Sequence, residues 1–181
     1  MAVPVTIMVA QEFTFKIVVL GDGNVGKTSL VSFFTTRSFK DFYLPTIGAQ
    51  FSLKEMDVED IHAKLYVWDI AGQAKFSSIR KMFYEKASAA LFVFDVTKRP
   101  TLDSIPAWQD DLKGVLGEGF PSALVGNKAD LIDERGVPSE DAMEVASDLG
   151  MLYFETSAKT GQSVDDVFHN IVLLLRDKQG I

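Results

Sequence analysis

The chain has 181 residues, which suits one domain able to bury about 70% of its unfolded surface. At 47% hydrophobic residues the composition excludes a wholly disordered chain, and a formal net charge of −7 speaks against a nucleic-acid binder, whose contact face would be basic. There is no cysteine, so disulfides, thiolate metal sites and thiol nucleophiles are excluded, and no apolar run reaches the ~20 residues of a membrane-spanning helix.

The opening MAVPVTIMVAQ lacks the basic segment of a secretory signal, and Ala2 stands where a myristoylated chain has glycine. Residues 1–12 are therefore read as a short arm ahead of a domain spanning 13–181. The apolar run at 14–20 predicts the first strand, and GDGNVGKTSL follows it directly at 21–30. Three glycines within six residues point to a backbone that bends sharply or approaches something closely. The spacing Gly21, four residues, Gly26, Lys27, Thr28 fits G-x-x-x-x-G-K-[ST]. In such a loop successive N–H groups surround the α- and β-phosphates, with Lys27 reaching the β- and γ-phosphates and the Thr28 hydroxyl binding Mg²⁺. A helix predicted over 27–36 aims its positive end at the same anion.

Strands are predicted next at 50–57 and 61–67. The polar link at Glu59 and Asp60 is too short for a parallel crossover, so this pair is an antiparallel hairpin. A helix over 76–86 and a strand at 89–95 follow, then a helix over 102–116 whose Pro106 either starts it near Ser104 or distorts it. After a strand at 121–126, Ser139, Glu140 and Asp141 open a helix over 139–149 that Gly150 stops. The last strand, 152–156, leads to a helix over 164–177, where Ser163 and Asp166 suggest a capping box. Val164, Val167, Phe168, Ile171, Val172 and Leu175 give that helix one apolar stripe. Apolar runs alternating with helices predict an α/β domain: a six-stranded, mostly parallel sheet with one antiparallel hairpin strand and helices on both faces.

Four further stretches add chemistry to the phosphate loop. In YLPTIG, residues 43–48, Thr46 can offer its hydroxyl to Mg²⁺ and its N–H to a γ-phosphate. In LYVWDIAGQ, residues 65–73, Asp69 follows a strand and can hold Mg²⁺ through water. Gly72 permits close backbone approach to a terminal phosphate, and Gln73 can orient an attacking water. In NKAD, residues 127–130, the two oxygens of Asp130 match the N1–H and exocyclic amine of guanine, an edge that adenine lacks. Asn127 can hold the purine or brace the phosphate loop, and the Lys128 stem can cover one face of the base. In ETSAK, residues 155–159, the Ala158 N–H can donate to a base carbonyl. Each stretch alone has an ordinary explanation: a loop threonine, a turn, a capping asparagine, surface charges. Together they fall in order at loops on one sheet edge, where ligands bind in open α/β sheets.

GDGNVGKT, PTIG, WDIAGQ, GNKAD and ETSAK resemble the five guanine-nucleotide motifs of the Ras superfamily of small GTPases, over about residues 13 to 177. The resemblance implies Gly21, Asp22, Gly23, Asn24, Val25, Gly26, Lys27, Thr28 and Ser29 at the phosphates. It implies Thr28 and Thr46 at Mg²⁺, Asp69 behind the metal's water shell, Gly72 at the γ-phosphate and Gln73 at the hydrolytic water. It further implies Asn127, Lys128, Asp130, Ser157, Ala158 and Lys159 at the guanine, Phe39 with its ring edge on the base, and Tyr43 beside the nucleotide. WDIAGQ, FDVT and ETSAK are most similar to the Rab branch. Three features depart from it. Ala74 stands where Rab-like proteins usually have glutamate, Ile70 where threonine is commoner, and RDKQGI ends the chain without a tail of prenylatable cysteines.

The expectation is a molecular switch that binds GTP or GDP with Mg²⁺ and hydrolyses GTP slowly, with Gln73, Lys27 and Gly72 as the catalytic set. No motif supplies an arginine to the γ-phosphate, so unassisted turnover is on the order of 10⁻⁴ s⁻¹ and a GTPase-activating protein is expected. An exchange factor and effectors are the other partners; no nucleic acid is. The chain reads as a cytoplasmic monomer without a membrane anchor, membrane-associated only through a lipidated tail beyond Ile181. Two rivals remain. Gln73 disfavours a GTP-binding interaction module with little hydrolysis, and NKAD disfavours an adenine-specific ATPase or kinase.

Overall fold

The computed structural model describes residues 11–39 and 45–180, so Tyr43 and residues 1–10 of the expected arm lie outside the described residues. Six strands form one sheet: β1 (Gln11–Leu20), β2 (Ala49–Val58), β3 (Ile61–Ile70), β4 (Ala89–Asp95), β5 (Ser122–Asn127) and β6 (Leu152–Thr156). Their order is β2-β3-β1-β4-β5-β6. Only β2 and β3 pair antiparallel, closing with Val58 opposite Ile61, and every other neighbour is parallel. The helices are α1 (Lys27–Thr36), α2 (Ser77–Tyr84), α3 (Arg99–Asp103), α4 (Ile105–Leu116), α5 (Ser139–Asp148) and α6 (Val164–Gln179). The expected α/β architecture is the one found. Among the described residues no helix is long and apolar enough to cross a membrane.

The continuous apolar runs of β4, of β5 and of residues 17–20 in β1 follow from burial on both faces, because alternate side chains leave opposite sides of a strand. Phe15, Ile17 and Val19 of β1 join Leu91 and Val93 of β4 in a core with α1 and α6. Val18, Leu20, Phe92 and Phe94 face the other way, into a core with α2, α4 and α5. The stripe expected on α6 is buried in the first core, where Phe168 stacks on Phe34 of α1 at 3.7 Å between ring centroids. Strand order reverses at β1, between β3 on one side and β4 on the other. Open α/β sheets hold ligands at the carboxyl edge of such a reversal.

Local details differ from the sequence reading. β1 begins at Gln11, two residues inside the expected arm, because Gln11 and Glu12 pair with Ile61 and His62 of the hairpin. β3 runs to Ile70, so Asp69 lies within the strand rather than after it. Of the two readings of Pro106, the structure shows the start near Ser104: α4 begins at Ile105. Residues 102 and 103 belong to the separate α3, with Pro100 and Pro106 each in a first turn, where a missing N–H costs nothing. Ser163 forms no capping box: its φ of 51° is left-handed and its side chain caps nothing. Ser139 opens α5 as expected, but its hydroxyl is drawn away from the helix and donates to Glu155 Oε1 at 2.6 Å.

Candidate functional site

The loops after β1, β3, β5 and β6 share a cleft of 890 Å³ at the carboxyl edge of the sheet. The phosphate-type loop occupies its floor. Gly26 has a φ of +95°, and a Cβ there would stand 2.2 Å from Asn127 Nδ2, so both conformation and space demand glycine. Lys27, the first residue of α1, is 6% exposed and donates to the carbonyls of Gly21 at 2.8 Å and Asp22 at 2.7 Å. Burial lowers its pKa to about 8, against the opposing pull of Asp69 and Asp22. No acidic residue of α1 itself sits in its first turn.

Two outward tethers shape the same loop. Asn127 Nδ2 donates to the Val25 carbonyl at 3.0 Å and Lys128 Nζ to the Asn24 carbonyl at 2.8 Å. Across a trans peptide the N–H points opposite to the preceding C=O, so these tethers turn the Val25 and Gly26 N–H groups the other way.

Three side chains bring their oxygens together beside Lys27. The Thr28 hydroxyl makes a short hydrogen bond to Asp69 Oδ2, the Thr46 hydroxyl donates to the same oxygen at 3.2 Å, and the two hydroxyls lie 3.0 Å apart. Asp69 is 1% exposed, and its Oδ1 is a buried acceptor without a hydrogen-bond partner. Burial pushes the Asp69 carboxyl up, while the Thr28 hydrogen bond and the Lys27 charge oppose that shift. A cluster of hydroxyl and carboxylate oxygens with one orphaned acceptor fits a hard divalent cation.

Gly72 lies against the phosphate loop. A Cβ there would come within 2.4 Å of the Asp22 carbonyl carbon, 2.5 Å of Gly21 O and 2.6 Å of Gly23 N, all backbone atoms that cannot give way. Gln73 follows it into the cleft, its Cγ 3.9 Å from where a Gly23 Cβ would stand.

At the other end of the cleft Asn127 joins three loops. Besides its bond to Val25, its Oδ1 accepts from the Thr156 hydroxyl and the Ala158 N–H, each at 3.2 Å. The Ala158 N–H, expected to face a base, is therefore engaged by Asn127. Asp130 Oδ1 accepts from the Ser157 hydroxyl at 2.6 Å, and Ser157 Oγ accepts from the Thr160 N–H at 3.1 Å. Phe39, Ser29 and Lys159 line the same cleft. Gly21, Val25 and Ser157 are buried behind its wall.

Two functional contacts have no signal in the sequence. The carboxylate of Asp22, a phosphate-loop residue, accepts from Trp108 Nε1 at 2.9 Å, while the Arg80 guanidinium lies 4.2 Å from the Trp108 ring centroid. The phosphate loop, α2 and α4 are thus joined through residues far apart in the chain. A second network braces the end of β6 ahead of Ser157. Glu155 accepts both guanidinium nitrogens of Arg135 at 2.9 and 2.7 Å, together with the Ser139 hydroxyl and the Tyr153 hydroxyl at 2.8 Å. Those donors, Arg135 first, hold its pKa at about 2.

A depressed carboxylate pKa stabilises the fold at pH values above its unfolded value. That contribution is lost as pH falls through the folded one. Glu155 is 23% exposed, so after allowance for solvent screening it contributes about 2 kcal/mol at neutral pH. This should disappear between about pH 5 and pH 2. Urea unfolding of the parent and Glu155→Gln should differ at pH 7, and the difference should shrink steadily below about pH 5 and vanish only below about pH 2; a constant difference across that range would refute the linkage.

This fold, with these loops on one sheet edge, defines a P-loop GTPase domain. A family model described as Ras family matches residues 16–177. The chain is 36% identical over 171 residues to Ras-related protein Rab-13 of Canis lupus familiaris, covering 94% of this chain and 84% of that protein. It is 40% identical to Ras-related protein RABF2b of Arabidopsis thaliana over 161 residues, 89% of this chain and 80% of that protein. It is also 40% identical to Ras-related protein Rab5A of Oryza sativa subsp. japonica over 164 residues, 91% of this chain and 81% of that protein. The chain belongs to the Ras family.

Proposed function

We propose that this protein is a guanine-nucleotide switch that binds GTP or GDP with Mg²⁺ and slowly hydrolyses GTP to GDP and phosphate. The observation that carries the proposal is the convergence of Thr28, Thr46 and Asp69 oxygens beside a buried Lys27 at one end of a cleft that has Asp130 at the other. Lys27 and the inward N–H groups of residues 23–28 hold the phosphates, and α1 adds its positive end. Thr28 and Thr46 would hold the metal by their hydroxyls and Asp69 through water. When bound, Mg²⁺ would supply positive charge against the negative charge that develops on the phosphoryl oxygens during transfer. Gln73 orients the attacking water, and the Gly72 N–H and Lys27 ammonium stabilise the phosphoryl oxygens.

Asp130 selects guanine through two acceptor oxygens; Asn127, Lys128, Ser157, Ala158, Lys159, Phe39 and Tyr43 complete the base end. Thr46 and Gly72 touch a group that GTP has and GDP lacks, so their loops order with GTP and loosen after hydrolysis. A GTPase-activating protein, an exchange factor and effectors read and reset that difference. The Rab names of the relatives support a Rab-like role in trafficking or signalling.

Competition against fluorescent GDP tests the base and single-turnover hydrolysis tests the chemistry. GDP and GTP should displace the probe at concentrations at least about a thousandfold below those of ADP and ATP. Equal competition by ATP would overturn the guanine assignment. Bound GTP that never turns over, even with an activating partner, would leave an interaction module.

A further inference from the structure

Asp95 ends β4, opposite Asn127 in the register with β5, and is 1% exposed although it lies outside the cleft wall. Its Oδ1 accepts from the Thr97 N–H at 2.9 Å and the Thr97 hydroxyl at 2.7 Å. Its Oδ2 pairs with Lys128 Nζ at 2.6 Å. The same ammonium donates to the Asn24 carbonyl of the phosphate loop. Lys128 has a left-handed φ of 68°, and its Cε lies 4.0 Å from where a Gly26 Cβ would stand. The lysine stem is thus laid along the phosphate loop, its head fixed between a buried carboxylate and a loop carbonyl.

We infer that Asp95 is a positioning residue for guanine-nucleotide retention, acting through Lys128. A lysine stem has four rotatable bonds, and holding it over a base costs side-chain entropy unless another group has already fixed it. Asp95 is that group. It also keeps the ammonium on Asn24, and so keeps the base loop and the phosphate loop at one separation. Desolvation would penalise a lone carboxylate at this depth, so the pair is mutually required: Asp95 needs the cation as much as Lys128 needs the anchor. The inference rests on the proposal that Lys128 lies against a guanine base.

The test is the release of a fluorescent methylanthraniloyl-GDP from the full chain in Mg²⁺, chased with unlabelled GDP. It is run on the parent, Asp95→Asn, Lys128→Met and the double variant. Losing a charge-assisted anchor should speed release about tenfold in Asp95→Asn. Lys128→Met should release at least as fast, and the double variant should match Lys128→Met. Asp95→Ser, smaller but still able to accept from Thr97, is the second variant should the asparagine protein not fold, with the same expected acceleration. If Asp95 merely shaped the strand end through Thr97, its substitution would speed release equally in the Lys128→Met background, and the two factors would multiply. That result, or release from Asp95→Asn at the parent rate, overturns the inference and leaves the guanine assignment standing. If the parent releases the ADP and GDP probes alike, the guanine assignment itself falls, and the inference with it.

Discussion

Gln73→Leu is expected to keep bound nucleotide while losing most partner-accelerated hydrolysis, a drop on the order of 10³–10⁵-fold in the stimulated rate. Gln73 lies in the cleft directly after Gly72, which is pressed against the backbone of residues 21–23. Leucine is of similar size but has neither a donor nor an acceptor, so it cannot hold a water in line with the γ-phosphate. Because the substitution touches neither the Lys27 cradle nor the Thr28–Thr46–Asp69 oxygens, affinity should change little. Single-turnover hydrolysis with and without an activating protein, beside a GDP release assay, separates the two effects. A variant as fast as the parent under both conditions would show that another group positions the water.

Asp130→Asn should collapse the preference for guanine over adenine nucleotides by at least about a hundredfold. The structure sharpens the reason. Ser157 Oγ already accepts from the Thr160 N–H, so its own proton goes to Asp130 Oδ1. In the asparagine variant that proton would favour the amide oxygen at the Ser157 position, turning the NH₂ group outward. There it would meet the guanine N1–H and exocyclic amine, donor against donor. Competition of GDP and ADP against a labelled probe measures the change, and an undiminished preference in the variant would place base recognition elsewhere.

Much of this fold is legible in sequence because its signals are local. β4, β5 and residues 17–20 at the end of β1 announce themselves as apolar runs, since a strand covered on both faces has no polar side to alternate with. The phosphate loop is equally readable: Gly21, Gly26, Lys27 and Thr28 serve a backbone shape set within eight consecutive residues. The hairpin of β2 and β3 follows from a connection too short to be anything else.

Tertiary structure alone decided what those local signals meet. Ser163 reads as a helix cap, yet the chain enters α6 through the left-handed region there, and its hydroxyl has no cap to make. Ser139 reads as the start of α5 and is, but its hydroxyl proton goes to Glu155 sixteen residues later. Asp22 belongs by position to the phosphate loop, while its carboxylate answers to Trp108 across 86 residues of sequence. Asp95 reads only as the acid of FDVT at a strand end, with no partner, until β5 brings Lys128 against it. A propensity or a turn is fixed by neighbours in the chain, so a sequence carries it. Which carboxylate a buried cation or hydroxyl finds depends on strand register and helix docking, and these are set by the packing of two cores rather than by any residue near the pair.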